Sequence, residues 1–453
     1  MRSINPEIQK AVWTELTPTR LIMTPLLLLL LGSVVQMGER SDQDVQGWYT
    51  ALFAPISFLS VYYYGNQKIA VSVLSEISQK SWEYQRLSAL SPWSLTWGKM
   101  VGGMLFPWYV GLPSLLAVQY YGQMFMRWEH LIPLILLAMT LHAFVLYWSL
   151  MIVRKSAALQ YPITRYTSLF GLFPALFALW VITIGKESFA HPERLTSWYE
   201  MNLDHFTTVT LTLLLACSWM WLAAWRAMRS ELQVRQYPWA WFLFVLMLVV
   251  YLGGFIQPRA GMVSVGFTIS ILFFYQNLFS ETKDLLLVRQ LQHHWRQRNW
   301  LQLGNLVPQW VISFFMVLIF WGLSLFFWPT ESETWSFVLL TSIVLFSLRD
   351  LALVLFFSLG INPKRRDAAA FFYLSLSYAL PILLLSTMSA STRESYSLLF
   401  YPPFSHPKAV DLLLPLAEAV LLWFLVIARY RQRQRETKLD DQPIPFPPPT
   451  VER

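Results

Sequence analysis

Four ionisable residues stand inside runs of apolar sequence where such residues are rare. Arg349 and Asp350 are neighbours in the run 335–360, Glu418 lies in the run 412–428, and His142 in the run 131–153. A charge held in hydrocarbon costs at least a few kcal/mol, so these positions mark either a transport path or a paired lock between helices. Arg349 and Asp350 neutralise each other, and Glu418 can serve Arg349 as a second partner. His142 has no charged neighbour in its run. Both readings stand on sequence alone. Other groupings carry less. His191, Glu193, Asp204 and His205 could be imagined as metal ligands, but they share no helical face and read as ordinary loop residues. His293 and His294 sit in a basic, solvated connection. No Gly-x-x-x-x-Gly-Lys-Ser/Thr loop occurs, so the chain lacks that cradle for ATP and is not expected to be an enzyme or to hold a cofactor itself. The one cysteine, Cys217, can form no internal disulfide and reads as a small filler in a helix.

The elements that must position these residues are membrane helices. Hydrophobic residues make up 55% of the 453 positions and charged residues 13%, against about 25% charged in a soluble domain. A soluble globular class is thereby excluded. Twelve apolar blocks, each near the roughly 20 residues needed to cross a bilayer core, fall at 21–37, 48–65, 100–122, 131–153, 167–185, 206–225, 239–256, 260–279, 310–328, 335–360, 370–390 and 412–428. Backbone groups in lipid must bond within their own segment, which makes each block a helix. The alternation of a membrane β-barrel is absent. The fold class expected is therefore an all-α integral membrane protein of about twelve transmembrane helices. The first block lacks a small-residue cleavage pattern after it and is read as a retained helix.

Charge sets the expected orientation. Of the 34 Lys and Arg residues, Arg40, Arg127, Lys186, Arg194, Arg259, Arg393 and Lys408 fall on one side, Arg349 lies within a block, and the other 26 fall opposite. Positive segments stay cytoplasmic, so both termini are expected inside. The formal charge of +8 is then a topology signal, and no nucleic-acid partner is expected.

The chain also reads as duplicated. A long connection follows the second block of each half, at 66–99 and 280–309, and a basic one follows the fourth, at 154–158 and 364–369. Phe189-Ala190-His191-Pro192 and Phe404-Ser405-His406-Pro407 occupy matching places. Residues 1–230 and 231–430 are thus expected to form two pseudo-symmetric six-helix halves in parallel topology. Residues 431–453, with Arg431, Arg433, Arg435 and a proline cluster from Pro443 onward, are expected to be a disordered cytoplasmic tail whose arginines touch anionic lipid.

The connection Ser81-Trp82-Glu83-Tyr84-Gln85-Arg86-Leu87-Ser88-Ala89-Leu90-Ser91-Pro92-Trp93-Ser94-Leu95-Thr96-Trp97-Gly98-Lys99 carries the most information. Leu87 and Leu90 are spaced i, i+3 and would form the apolar stripe of a short helix. Pro92 would stop that helix, and Gly98-Lys99 would mark re-entry into the bilayer with a snorkelling cation. In these elements the segment resembles the cytoplasmic coupling segment of ABC type-2 permeases, an acidic helical stretch followed by a Leu-rich run, Ser/Thr-Pro and Gly-Lys. The spacing from Ser91-Pro92 to Gly98-Lys99 is shorter than that family's by about one helical turn. The second half offers a degenerate copy around Asp284, Arg289, Trp295 and Gly304, with no proline there and Asn305 in place of the lysine.

The resemblance implies the permease subunit of an ATP-driven exporter in a bacterial plasma (inner) membrane. It also implies a separate cytoplasmic ABC ATPase, in two copies, which would bind ATP and Mg and press on residues 74–97 and 281–303. The substrate is not legible. A twelve-helix ion-coupled secondary transporter is the alternative; its usual short second connection is missing here, and only Asp350 and Glu418 supply intramembrane acids. A membrane-embedded transferase would need convergent acids or histidines at one face, and the outer connections are too short to hold a substrate.

Overall fold

A computed structural model describes residues 5–37, 42–79, 81–87, 90–121, 128–156, 167–190, 195–234, 239–256, 259–281, 283, 285–327, 333–360, 366–388, 396–397, 400–403 and 408–440. The chain divides into two compact units, Met1–Gln236 and Tyr237–Arg453.

In the first unit, Asn5 caps a short helix, α1 (Pro6–Glu15), by accepting from the Glu7 N–H at 3.0 Å. Thr17 caps α2 (Pro18–Gln36) through the Arg20 N–H. Both helices open on proline, whose missing N–H costs nothing at that position. Helix α3 (Asp42–Phe58) runs through a π-helical turn, Leu59–Gly65, directly into α4 (Asn66–Ser78). This unbroken rod is longer than a bilayer core of about 30 Å requires. Then follow α5 (Trp82–Leu87), α6 (Pro92–Tyr121), α7 (Leu131–Ser156), α8 (Leu169–Ala190) and α9 (His205–Glu231).

Between α8 and α9 lies a hairpin that the sequence does not announce, β1 (Leu195–Trp198) paired antiparallel with β2 (Met201–Asp204). Tyr199 and Glu200 turn it with φ of 46° and 68°, the left-handed pair that a two-residue hairpin needs.

The second unit holds α10 (Trp239–Gly253), α11 (Arg259–Ser280), α12 (Leu285–Arg296), α13 (Trp300–Leu306), α14 (Gln309–Phe327), α15 (Glu333–Ser358), α16 (Arg366–Ser386) and α17 (Leu413–Asp440). Helix α17 runs on to Asp440, so the first ten residues of the expected disordered tail are helical; the arginines after Ala428 simply continue its turns. Residues 441–453 lie outside the described residues, as do the motif halves His191-Pro192 and Phe404-Ser405-His406-Pro407.

Among the described residues, nine helices are long and apolar enough to cross a membrane, and 169–184 and 240–253 are shorter apolar helices. The second apolar block is not among the nine, because its regular α-helix ends at Phe58 where the π turn begins. The helices also wear apolar residues outward. On α16, Phe371, Phe372, Leu380, Ile382 and Leu383 are all exposed. In water such a surface would be a liability; in lipid it is solvated. The chain is an all-α membrane protein.

Each unit has its own core. Ile69, Val73, Leu95, Leu146 and Met228 are buried together in the first, and Phe274, Leu278, Val317, Leu351 and Val354 in the second.

Candidate functional site

The charged residues of the second unit converge. Arg349 donates from Nε to Asp350 Oδ1 at 3.1 Å and from Nη1 to Glu418 Oε2 at 3.1 Å. Its Nη2 lies 3.1 Å from Asp350 Oδ1 but without hydrogen-bond alignment. Tyr275 and Tyr378 each donate a hydroxyl to Asp350 Oδ2 at 2.6 Å. The guanidinium also stacks 4.4 Å from the Phe346 ring centre and 5.3 Å from that of Tyr378. Helices α11, α15, α16 and α17 are therefore tied at one point. Asp350 is fully buried, and its two oxygens are occupied by the guanidinium and two phenols, which leaves little capacity for a ligand. Glu418 differs: its side chain is 29% exposed, and Oε1 is not engaged by Arg349. With one cation and two carboxylates the ionised cluster carries a net negative charge. The sequence pointed to Arg349, Asp350 and Glu418 but missed the tyrosines. The available signal was that a phenol in an apolar helix needs a partner for its hydroxyl.

His142 is a separate, neutral site in the first unit. It is fully buried, 2.9 Å from Asn66 Oδ1 through Nδ1, and accepts from Trp108 Nε1 at 3.1 Å through Nε2. An indole N–H only donates, so Nε2 must be the bare nitrogen and Nδ1 carries the proton. Asn66 in turn donates to the Tyr62 carbonyl at 2.6 Å inside the π turn. A Cβ on Gly65 would stand 3.0 Å from His142 Cε1, so the ring approaches this turn as closely as glycine allows.

The connection between α4 and α6 is built on a third polar cluster. Lys99 is buried, with 1% of its side chain exposed, and is ion-paired with Glu76 and, at 3.7 Å, with Glu7. Lys10 reaches Glu76 at 3.1 Å. Burial opposes the charge on Lys10, but the hydrogen bond and charge of Glu76, with the charge of Glu7, hold its ammonium above the ordinary lysine value. Gln85 of α5 donates to Glu76 at 2.8 Å and to Glu7 at 3.1 Å, and Asn5 donates to the Ser94 carbonyl at 2.6 Å. A Cβ on Gly98 would stand 2.4 Å from Glu7 Cβ, and one on Gly102 2.9 Å from Ala11 Cβ. Glycines four apart thus form the groove in which α1 lies across α6, the small-residue contact familiar between membrane helices.

The expected stripe of Leu87 and Leu90 is not formed. Helix α5 ends at Leu87, which is 85% exposed, whereas Leu90 lies beyond it, half-buried against the first core. Pro92 does not stop a helix but opens α6, with Ser91 accepting from the Ser94 N–H at 3.1 Å. A residue before proline is disfavoured in a helix, so the break falls ahead of Ser91-Pro92. Gly98 and Lys99 accordingly sit two turns into α6. Glu83 and Arg86 belong to α5, and their side chains lie outside the described residues.

In the second unit, Asp284 is outside the described residues. Arg289 and Trp295 are on α12, and Trp295 packs edge-on against Trp300 with ring centres 5.3 Å apart. Gly304 has open space around it. Glu281 accepts from the backbone N–H groups of Gln309 and Trp310 at 3.0 and 3.4 Å, at the start of α14. Burial raises its carboxyl above the ordinary value against the pull of those donors and of Lys283. Of the residues imagined as metal ligands, Asp204 caps α9 through the Thr207 N–H at 2.8 Å, and His205 Nδ1 lies 2.9 Å from Thr196 Oγ1. Among the described residues no three His, Cys, Asp or Glu are grouped as a metal site.

Compared with protein-family models, with curated proteins and with solved structures, the chain matches none of them.

Proposed function

We propose that this chain is the membrane-spanning permease of an ATP-driven ABC exporter, with twelve membrane helices in two six-helix halves, working with a separate cytoplasmic ATPase. Both termini would lie in the cytoplasm of a bacterial cell. The observation that carries this reading is the linkage through α5. Its Tyr84 and Leu87 are exposed, 78% and 85%, while Gln85 on the same short helix is tied to Glu76 and Glu7, and through them to Lys99 of α6. A partner gripping Tyr84 and Leu87 would move a buried ion-pair cluster, and that cluster is part of a membrane helix. ATP binding would shift the equilibrium only so far as it favours one state of the partner over another.

The alternative, ion-coupled transport, draws on Glu418. It is the one carboxylate of the Arg349 cluster with an exposed flank, in a group whose ionised charge is negative. The test is to isolate the tagged full chain in mild detergent and identify by mass spectrometry what accompanies it. A stoichiometric P-loop ATPase, lost from the variants Tyr84→Asp, Leu87→Asp and Glu83→Ala with Arg86→Ala, is the expected result. Absence of an ATPase under gentle conditions overturns the proposal and moves attention to Glu418→Gln.

A further inference from the structure

From Leu285 to Gln309 the chain carries Arg289, Arg296, Arg298, His293 and His294 and no acidic residue. The turn that joins α12 to α13 gathers the exposed part of this charge. Trp295 and Trp300 are 61% and 59% exposed, Arg296 and Arg298 are exposed beside them, and among the described residues neither arginine is held in an ion pair. The backbone is shaped to present them. Arg298 adopts φ of 52°, and the Asn299 N–H closes back on the His294 carbonyl at 3.0 Å, so the chain reverses and brings Trp300 onto Trp295. Glycine is the ordinary occupant of such a helix-ending position, and an arginine there stands in a conformation disfavoured for any side chain.

The level of this tip is fixed by α17. Tyr430 donates to Gln292 of α12 at 3.1 Å, two residues after the apolar stretch of α17 gives way to Arg429, Arg431, Arg433 and Arg435. Helix α12 therefore lies where a membrane helix leaves the hydrocarbon.

We propose that the α12–α13 tip is a docking site for anionic phospholipid headgroups, with Arg296 and Arg298 on the phosphates and Trp295 and Trp300 seated among the headgroups. Indole rings favour that zone, where one edge is apolar and the other wet, and cations near a negative membrane face are attracted by it. An ATPase face is the less favoured occupant, because the tip carries only positive charge and, among the described residues, the acid of this junction, Glu281, caps backbone N–H groups of α14 where Glu76 pairs with a buried lysine. The tip holds the second unit to the membrane surface, and any ATPase stroke would be received by α5. The inference stands whether or not the exporter reading does.

The probe is phosphatidylglycerol, titrated onto the detergent-purified full chain and followed by native mass spectrometry, with phosphatidylcholine as the neutral comparison. Wild type should retain phosphatidylglycerol preferentially. At about 1 kcal/mol per surface cation, retention should fall about fivefold for each of Arg296→Gln and Arg298→Gly, with phosphatidylcholine unchanged. Arg298→Gly also relieves the left-handed residue, so its melting temperature should not drop, and weaker lipid retention in this variant could not be ascribed to unfolding. Equal phosphatidylglycerol retention by wild type and both variants overturns the proposal. A second readout uses Gln297→Cys in a Cys217→Ala background, labelled with a nitroxide. In an equimolar phosphatidylcholine–phosphatidylglycerol bilayer the label should report headgroup depth. A label that stays fully aqueous there, and becomes protected only when an ATPase is added, makes the tip a protein surface and overturns the lipid assignment.

Discussion

The two connections that the sequence sets at matching places, between α4 and α6 and between α11 and α14, solve the same junction with different chemistry. In each, an acid near the end of one long helix reaches the beginning of the next. Glu76 does so by pairing with the Lys99 ammonium, whereas Glu281 caps bare backbone N–H groups at the start of α14, where the helix dipole supplies the positive end. Gly98 is pressed against α1, while Gly304 faces open space. Among the described residues, the first connection closes Glu76, Lys99, Glu7 and Lys10 upon one another and leaves Tyr84 and Leu87 outside; the second keeps Glu281 at the helix start and presents Arg296 and Arg298 with two tryptophans. A matching place in the sequence therefore does not imply a shared role for the two junctions. The contrast extends to the membrane interior, where the first unit buries a neutral His142–Asn66–Trp108 set and the second an arginine with two carboxylates.

The largest effect should come from that charged interior. Asp350→Ala leaves the Tyr275 and Tyr378 hydroxyls without their acceptor and Arg349 with Glu418 as its remaining counter-charge, and removing one member of a buried pair costs about 3–5 kcal/mol. The variant should melt far below wild type in detergent or fail to accumulate, whereas His142→Gln, which keeps polar atoms and no charge, should fall much less. A smaller melting loss for Asp350→Ala than for His142→Gln would erase the contrast between the two interiors. Glu76→Ala should come next, since Lys99 would lose its nearest counter-charge. The pair Glu76→Leu with Lys99→Met should regain most of that loss, because an apolar pair avoids the desolvation of both charges.

The paired glycines sharpen the comparison further. Gly98→Ala drives a Cβ into Glu7 and should cost about 1–3 kcal/mol, with faster tryptic cleavage after Lys10 as α1 lifts away. Gly304→Ala meets nothing and should be neutral or stabilising by up to about 1 kcal/mol from helix propensity. Equal melting temperatures for the two variants would contradict the packing asymmetry.

The smallest effect is a pH dependence. Burial raises the Glu281 carboxyl above the ordinary carboxylate value, so the folded state binds its proton more tightly than the unfolded state does. Its ionised form then weakens the fold above the raised value, and that loss is recovered as pH falls through it. Glu281→Gln cannot ionise; it should match or exceed wild type at neutral pH, and its advantage should shrink on acidification. An advantage that grows on acidification would reverse the assignment.

Much of the helical layout was legible because length and apolarity decide it. Each apolar block overlaps a helix, and the Arg349–Glu418 contact follows from the need of a buried guanidinium for counter-charge. The Leu87–Leu90 stripe is not legible from spacing, because spacing alone gives a helix through both residues, whereas Leu90 and Ser91, just ahead of Pro92, lie outside α5. The partners of Lys99 were invisible for another reason. Glu7 and Glu76 are distant in sequence, and only the packing of α1 into the Gly98–Gly102 groove brings Glu7 there. The β1–β2 hairpin went unseen because Tyr199 and Glu200, rather than asparagine and glycine, occupy its turn.

The central claim, that the first junction receives an ATPase and the second does not, is tested most directly by photo-crosslinking in intact cells. A benzophenone amino acid would be placed at Tyr84 or at Trp300, both exposed, and adducts identified by mass spectrometry. The account predicts an adduct between position 84 and a P-loop ATPase, with position 300 yielding lipid. An ATPase adduct at 300, or none at 84, would contradict it.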